Sequence, residues 1–202
     1  HNRRNLIAFS ISLWSAMTVF CGMAMQFWQL LLARIGVGVG EAGSNPPSHS
    51  ILSDLSKPEE RATAMAIFGL GVNFGIMLGY LIGGWVNEWI GWRWAFVVAG
   101  VPGLIIAVIV RITMIEPPRG YADGLAEKPT APPFWSVVRY MLSSTITRHL
   151  VIANSLISMA GYAAIAWAPV YFQRVHGFST AESGTFLALA IGVGGGLGTF
   201  FG

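Results

Sequence analysis

Six long apolar runs dominate the sequence and restrict the chain to a membrane fold. They lie at about residues 6–25, 27–53, 63–86, 94–115, 150–172 and 181–202. A helix needs about 20 apolar residues to cross the hydrocarbon core, and each run is about that long or longer. Backbone polar groups in lipid must be satisfied internally, and the runs lack the alternation that a barrel strand would show. We therefore expect an all-α membrane protein with six transmembrane helices.

The composition excludes several other classes of protein. Only 10% of the residues are charged and 54% are apolar, whereas a soluble domain carries about 25% charged residues. The single cysteine, Cys21, allows neither an internal disulfide nor a cysteine metal cluster. The spans hold no nucleophile–base pair, no H-E-x-x-H motif and no paired aspartates. We expect a protein that is not an enzyme and has no cofactor, no metal site and no nucleic-acid partner.

The distribution of Lys and Arg predicts the orientation of the helices. One side of the membrane carries Arg3, Arg4, Lys57, Arg61, Arg111, Arg119, Lys128, Arg139 and Arg148. The opposite side carries Arg93 and Arg174. Because basic residues concentrate in cytoplasmic loops, the first group marks the cytoplasmic side. The expected location is a multi-pass position in the membrane, most simply the inner membrane of a bacterium.

Two charged residues lie inside the second apolar run, where charge is costly. Arg34 and Glu41 are seven residues apart, which is two helical turns, so both project from one helix face. An ion in the membrane must meet a partner or a wet cavity. The axial separation of about 10 Å is too long for a simple direct pair. We expect both residues to take part in proton coupling, the alternative being a buried charge that only fixes helix packing.

Polar residues and prolines follow these charges on the same run. Pro46 and Pro47 lack backbone N–H groups and should bend the helix, freeing carbonyls to line a cavity. Asn45 is one turn beyond Glu41 and His49 is one turn further, where a packing role for the histidine is the more common one. Residues 38–43 also match the pattern G-x-G-x-x-G, but that pattern signals a dinucleotide site only between a strand and a helix.

Glycine stripes and mid-span polar residues complete the candidates for moving parts and cavity walls. The third run has glycines at a spacing of four residues, and the sixth run has a similar set: Gly71, Gly75, Gly79 and Gly83, then Gly194, Gly198 and Gly202. Such a stripe lets another helix approach closely, either in static packing or at a mobile interface. The remaining candidates for a substrate cavity lie near the middle of their spans: Trp14, Asn73, Tyr162 and Trp167.

The long connection between the fourth and fifth runs divides the sequence. Residues 116–149 are rich in proline near their start, which favours a semi-rigid linker. Apolar residues at 134, 137, 138, 141 and 142 then share one helical face. This pattern predicts either a short helix on the cytoplasmic leaflet or an early start of the next span.

Several of these segments resemble motifs of the major facilitator superfamily. Residues 34–40 resemble the arginine-and-glycine motif of its fourth helix, and residues 91–96 look like the start of its sixth. Residues 75–84 are similar to the G-x-x-x-G-P-x-x-G-G motif of the fifth helix, with Tyr80 in place of the proline. Within the superfamily, residues 38–42 and 116–120 look most like the spinster branch.

The resemblance implies an architecture and a function. The six spans would be helices three to eight of a twelve-helix fold, with residues 1–115 in the N-terminal bundle, 116–149 as the linker and 150–202 in the C-terminal bundle. Spinster-like carriers are proton-linked through a glutamate and an arginine that match Glu41 and Arg34. A cytoplasmic charge cluster that latches one conformation would be formed by Arg4, Asp54, Glu60 and Arg61.

We accordingly expect a proton-coupled secondary active transporter that moves a small organic or amphipathic solute, such as a lysolipid, by alternating access. Its partners would be the lipid bilayer, protons and that solute. Two alternatives remain open from the residues: a general metabolite or drug exporter of the same fold, and a non-transporting receptor or scaffold.

Overall fold

A computed structural model of the protein describes residues 2–122 and 132–201, with side chains described as far as residue 198. Lys128 and part of the proline-rich linker lie outside these residues, as does Gly202. The described residues contain helices and connecting segments but no strand, which confirms the all-α fold. The helices are α1 (Arg3–Met23), α2 (Phe27–Ala42), α3 (Asn45–Leu55), α4 (Arg61–Ile90), α5 (Trp92–Thr113), α6 (Phe134–Ser143), α7 (Thr145–His176), α8 (Thr180–Leu187) and α9 (Gly194–Phe201).

Four of these helices are long and apolar enough to cross a membrane as single elements: α1, α4, α5 and α7. The second predicted run is instead divided into α2 and α3, which are separated by Gly43 and Ser44. The prolines explain the break, because a regular helix would need N–H groups from Pro46 and Pro47 to bond the carbonyls of Ala42 and Gly43. The hydroxyl of Ser44 donates to the Glu41 carbonyl, 3.1 Å away, and so satisfies one acceptor at the end of α2.

The sixth predicted run is also irregular. Between α8 and α9 the residues Ala188–Val193 form a π-helical segment, in which each turn holds an extra residue. Such segments occur mostly as single turns inside longer α-helices, frequently at functional sites. The described residues fall into two compact units: α1 to α5 with α8 and α9 form the first, and α6 with α7 forms the second.

The core of the first unit lies where α1 packs against α2 and α5. Its buried centre is Cys21, Ala33 and Val37, surrounded by half-buried apolar side chains that include Met17 and Phe96. On α5 the absence of a side chain lets α1 approach closely. A Cβ built on Gly100 would lie 2.8 Å from the carbonyl oxygen of Ser15.

The regular glycine stripe of α4 does not receive a helix among the described residues. No heavy atom comes within 4 Å of the position that a Cβ would take on Gly71, Gly75, Gly79 or Gly83. Three of these glycines line a groove of about 690 Å³ between α4 and α5. The close contact uses Gly84 instead, whose Cβ would lie 3.1 Å from Cα of Gly184 on α8. Most of the regularly spaced glycines of α4 therefore line an open groove, and the glycine that packs against another helix is Gly84, one residue after the last of them.

Candidate functional site

Arg34 and Glu41 lie on α2 beside its packed face. That face consists of Ala33, Val37 and Gly40, which are buried. Both charged side chains are exposed, and within residues 2–122 and 132–201 neither makes a hydrogen bond or an ion pair. A cation and a carboxylate on one edge of an apolar helix can serve a solute or a proton only while their polar atoms stay accessible, and here they do.

Trp14 packs against the helix that carries these charges. Its backbone nitrogen lies 2.7 Å from the place that a Cβ would take on Gly40, so the backbones of α1 and α2 approach closely at this point. The ring is half-buried and packs against the core around Val37. One turn away, the hydroxyl of Ser10 lies 2.5 Å from the Cβ position of Gly43. Trp14 thus packs on Gly40, the residue that precedes Glu41 on α2.

The polar candidates beyond α2 occupy different surroundings. Asn45 is exposed at the first position of α3, just after the break. Asn73, on α4, has its side-chain oxygen 2.7 Å from the Cβ position of Gly195 on α9. His49 packs against α4: its Nδ1 is 3.1 Å from Sδ of Met65.

Tyr162 and Trp167 belong to α7 in the second compact unit. Their exposed fractions are 74% and 65%, so each ring is open on most of its surface. Pro169 lies inside the same helix near its C-terminal end.

A charge cluster joins α1, α3 and the segment after α5. Arg3 lies at its centre with only 4% of its surface exposed. The guanidinium donates to Glu116 Oε1 at 2.8 Å, to the Ser50 hydroxyl at 2.8 Å and to the carbonyl of Pro117 at 2.8 Å, and it forms an ion pair with Asp54. A buried cation satisfied in this way is strongly held, because removing one partner would leave an uncompensated charge.

The other predicted latch residues surround this cluster. Asp54 also accepts a hydrogen bond of 3.0 Å from the backbone N–H of Gly120. Arg4 uses its backbone N–H to donate to Glu116 at 2.8 Å, and its guanidinium donates to the carbonyl of Met114 at 3.4 Å. Arg61 donates from Nε to the carbonyl of Ser53 at 3.2 Å, which ties α4 to α3. Glu60 is exposed at the residue that precedes α4.

The electrostatics of this cluster favour the ionised form of Glu116. Burial alone would raise the pKa of this carboxyl, but the side-chain hydrogen bond from Arg3 and the backbone N–H groups that face it outweigh burial and lower the pKa. The carboxylate is therefore charged at neutral pH and holds Arg3 in place.

The sequence analysis named Arg4 for this cluster, and Arg4 does contact Glu116, but the arginine that pairs with Asp54 is Arg3. A signal was present in the sequence: Arg3, Ile7 and Ser10 recur at helical spacing and form part of the buried face of α1. Glu116 was assigned to the linker, and its contact with residues 112 or more positions away follows only from the fold.

Four apolar helices of membrane-spanning length indicate a multi-pass membrane protein, and the shorter apolar helix α2 carries two accessible charges. The Major Facilitator Superfamily profile matches residues 1–202. The chain belongs to this superfamily and is spinster-like. Members of the superfamily carry solutes across membranes and are generally not enzymes.

Two curated relatives and one solved structure illustrate the similarity. An MFS-type efflux pump of Mycolicibacterium smegmatis (strain ATCC 700084 / mc(2)155) is 30% identical over 96% of this chain and 44% of its own length. The sphingosine-1-phosphate transporter SPNS2 of Mus musculus is 32% identical over 86% of this chain and 32% of its own. The crystal structure of a bacterial homologue of the human lysosomal transporter Spinster, inward-facing and unoccupied, superposes with a TM-score of 0.78 at 33% identity, covering 99% of this chain and 47% of that one. The chain thus spans less than half the length of these relatives.

Proposed function

We propose that this protein is a proton-coupled secondary active transporter that moves a small organic or amphipathic solute by alternating access. The observation that carries the proposal is the pair Arg34 and Glu41, exposed and unpartnered among the described residues, on a helix that is apolar apart from this pair and Gln29. Placing a charge at such depth in the membrane costs a few kcal/mol, and unpartnered side chains recover little of that cost through packing, which favours a functional role.

Each residue of the pair has a distinct role in this proposal. Glu41 accepts a proton when it faces one side and releases it when it faces the other. Arg34 supplies a planar guanidinium that binds an anionic group of the solute or an acidic partner. Asn45, Trp14, Asn73, Tyr162 and Trp167 are proposed to line or support the cavity; of these, Trp14 acts through its packing on Gly40.

The cytoplasmic cluster is proposed to stabilise one conformation of the transporter. Its residues are Arg3, Arg4, Asp54, Glu60, Arg61 and Glu116. A network of charge-assisted hydrogen bonds is strong while its geometry is intact and is lost as a unit when its members separate. This behaviour suits a latch that must hold one state and release it.

The linker and the remaining helices complete the proposed architecture. Residues 1–115 would belong to one helix bundle, 116–149 to the connection and 150–202 to the next bundle. The apolar residues Phe134 and Trp135 of α6 are exposed, which supports a position on the cytoplasmic leaflet. The bilayer would be the inner membrane of a bacterium.

The test is a comparison of wild type with Glu41→Gln in proteoliposomes that carry a pH gradient. Radiolabelled sphingosine 1-phosphate and lysophosphatidylethanolamine serve as probes, because a relative is named as a sphingosine-1-phosphate transporter. Wild type should accumulate a probe in response to the gradient. Glu41→Gln should lose gradient-driven accumulation yet keep solute exchange at zero gradient, since exchange needs no net proton transfer. Undiminished gradient-driven accumulation in the mutant would refute the role of Glu41.

A general exporter of metabolites or drugs is the second candidate, supported by the similarity to an efflux pump. Competition distinguishes the two. If lysolipids fail to compete while a lipophilic cation such as ethidium is exported with the gradient, the exporter is the better description. Absence of flux for every probe would favour a receptor or scaffold.

A further inference from the structure

We propose that Glu88 is a gate residue, which holds the C-terminal end of α4 against the start of α8 on the outer side of the membrane and releases it when the transporter opens. The inference deepens the proposed function and rests on it for the meaning of opening. Nothing in the motifs of the sequence pointed to Glu88, which lies one turn before the turn at Gly91.

The carboxylate of Glu88 joins two segments that are far apart in sequence. Its Oε2 accepts a hydrogen bond of 2.8 Å from the backbone N–H of Ala181, 93 residues away. The hydroxyl of Thr180 lies 3.4 Å from the same oxygen. Ala181 belongs to the first turn of α8, where N–H groups lack partners within the helix and the helix dipole favours a negative charge. Glu88 of α4 therefore supplies a hydrogen-bond acceptor and a negative charge to the N-terminus of α8.

Further contacts at this junction include polar and backbone contacts, beside the buried apolar side chain of Leu187 on α8. The Thr180 hydroxyl also lies 3.2 Å from the carbonyl of Gly84, and Nε1 of Trp85 donates to the Thr185 hydroxyl at 3.1 Å. The backbones meet directly, since a Cβ on Gly84 would lie 2.6 Å from the carbonyl of Thr180. Because Gly84 has no side chain to disengage, the hydrogen bonds of Glu88 and Thr180 contribute directly to holding this junction closed.

Water has access to these hydrogen bonds. Glu88 is exposed and borders a cavity of about 650 Å³, which Trp85 and Phe178 also line. Water can replace the N–H of Ala181 as a partner of the carboxylate, so opening does not strand a desolvated charge. By contrast, Arg3 in the cytoplasmic cluster is 4% exposed and would be left buried and unpaired. The junction at Glu88 is therefore the more easily released of the two.

Glu182 provides a matched control within the same cavity. Its Oε2 accepts from the backbone N–H of Ser179 at 2.8 Å, and the Ser179 hydroxyl accepts from the Glu182 N–H at 3.2 Å. This capping box closes the start of α8 on itself. Removing Glu182 takes away a carboxylate of the same charge from the same place without cutting a bond between α4 and α8.

The experiment measures opening directly through an introduced thiol. Ser183 is 1% exposed on α8, so Ser183→Cys reports exposure of the junction to a membrane-impermeant maleimide added outside intact cells. The native Cys21 is fully buried, and protein without the Ser183 substitution gives its background. The labelling rate is then compared among the parent Ser183→Cys protein and the same protein with Glu88→Ala or Glu182→Ala added.

The proposal predicts that Glu88→Ala raises the labelling rate about tenfold, equivalent to about 1.4 kcal/mol in the opening equilibrium. Glu182→Ala should change the rate less than about twofold, a shift of about 0.4 kcal/mol. If Glu88→Ala is not monodisperse on size-exclusion chromatography, two milder variants replace it: Glu88→Gln and Thr180→Val. Each weakens the same junction and should raise the labelling rate by about threefold.

An unchanged labelling rate with Glu88→Ala, or an equal rise with Glu182→Ala, would overturn the gate. Labelling needs no solute and no pH gradient, so the result is separate from that of the transport assay. A rise specific to Glu88→Ala in a protein that carries no solute would support the gate and contradict the proposed function.

Discussion

The contact between Gly40 and Trp14 gives a prediction with a control on the same helix. In Gly40→Ala the new methyl group would lie 2.7 Å from the backbone nitrogen of Trp14, whereas ordinary contact begins at 3.4 Å. The neighbouring atoms are backbone and Cβ, which cannot turn away, so α1 and α2 must separate by about 0.7 Å. Overpacking of this kind costs about 1–3 kcal/mol. In Gly38→Ala the same methyl group meets nothing within 4 Å.

Helix propensity acts equally on both substitutions and favours alanine by about 1 kcal/mol. Gly40→Ala should therefore be less stable than Gly38→Ala by about 1–3 kcal/mol. The measurement is the apparent Tm of each detergent-solubilised variant, followed by fluorescence-detected size-exclusion chromatography. At about 2–4 °C per kcal/mol, Gly40→Ala should melt at least about 2 °C below Gly38→Ala. Equal melting temperatures would refute the claim that the backbone of Trp14 packs closely on α2 beside Glu41.

Three further predictions concern the charges and the break in α2–α3. Arg34→Lys should fold normally, because the side chain is exposed. It should lower gradient-driven uptake at least about tenfold, since an ammonium does not reproduce the geometry of a guanidinium. Uptake equal to that of wild type would contradict the proposed role of Arg34. Because the folded-state pKa of Glu116 is lowered, its stabilising effect is present above the usual value of 4.5 and disappears as the pH falls through the folded-state pKa. Wild type should thus melt above Glu116→Gln at pH 7, with the gap closing below pH 4.5; a gap independent of pH would argue against the ion pair with Arg3. Replacing Pro46 and Pro47 together by alanine should let the helix continue through the break, so the two new backbone N–H groups should be protected from hydrogen exchange and uptake should be impaired. Fast exchange at both positions would show that the prolines do not cause the break.

The fold was largely predictable, because hydropathy in a membrane chain reports directly on helices. Run lengths and the absence of alternation predict α1, α4, α5 and α7. The sequence also predicts the bend at Pro46, since the missing N–H groups act locally. The π-helical segment at Ala188–Val193 was not predicted. Nothing in a local pattern distinguishes an extra residue per turn from a regular helix rich in small residues.

Candidate site residues could be proposed from the sequence only where they carry a local energetic cost. Arg34 and Glu41 stand out because charge is expensive within an apolar run. Arg3 and Glu88 do not, since each lies at a helix end where charge is ordinary. Their importance comes from partners about 50 to 110 residues away, such as Asp54 and Ala181. Long-range hydrogen bonds leave no periodic trace in one sequence, so the cluster and the proposed gate could be recognised only in the structure.

The most direct test of the central claim is the proton movement that accompanies solute transport. Proteoliposomes containing the pH-sensitive dye pyranine are given sphingosine 1-phosphate without an imposed gradient, and the internal pH is followed. The account predicts that wild type shifts the internal pH when the solute is added and that Glu41→Gln gives no shift. Solute uptake by wild type without any change in internal pH, or an undiminished shift in Glu41→Gln, would contradict proton coupling through Glu41.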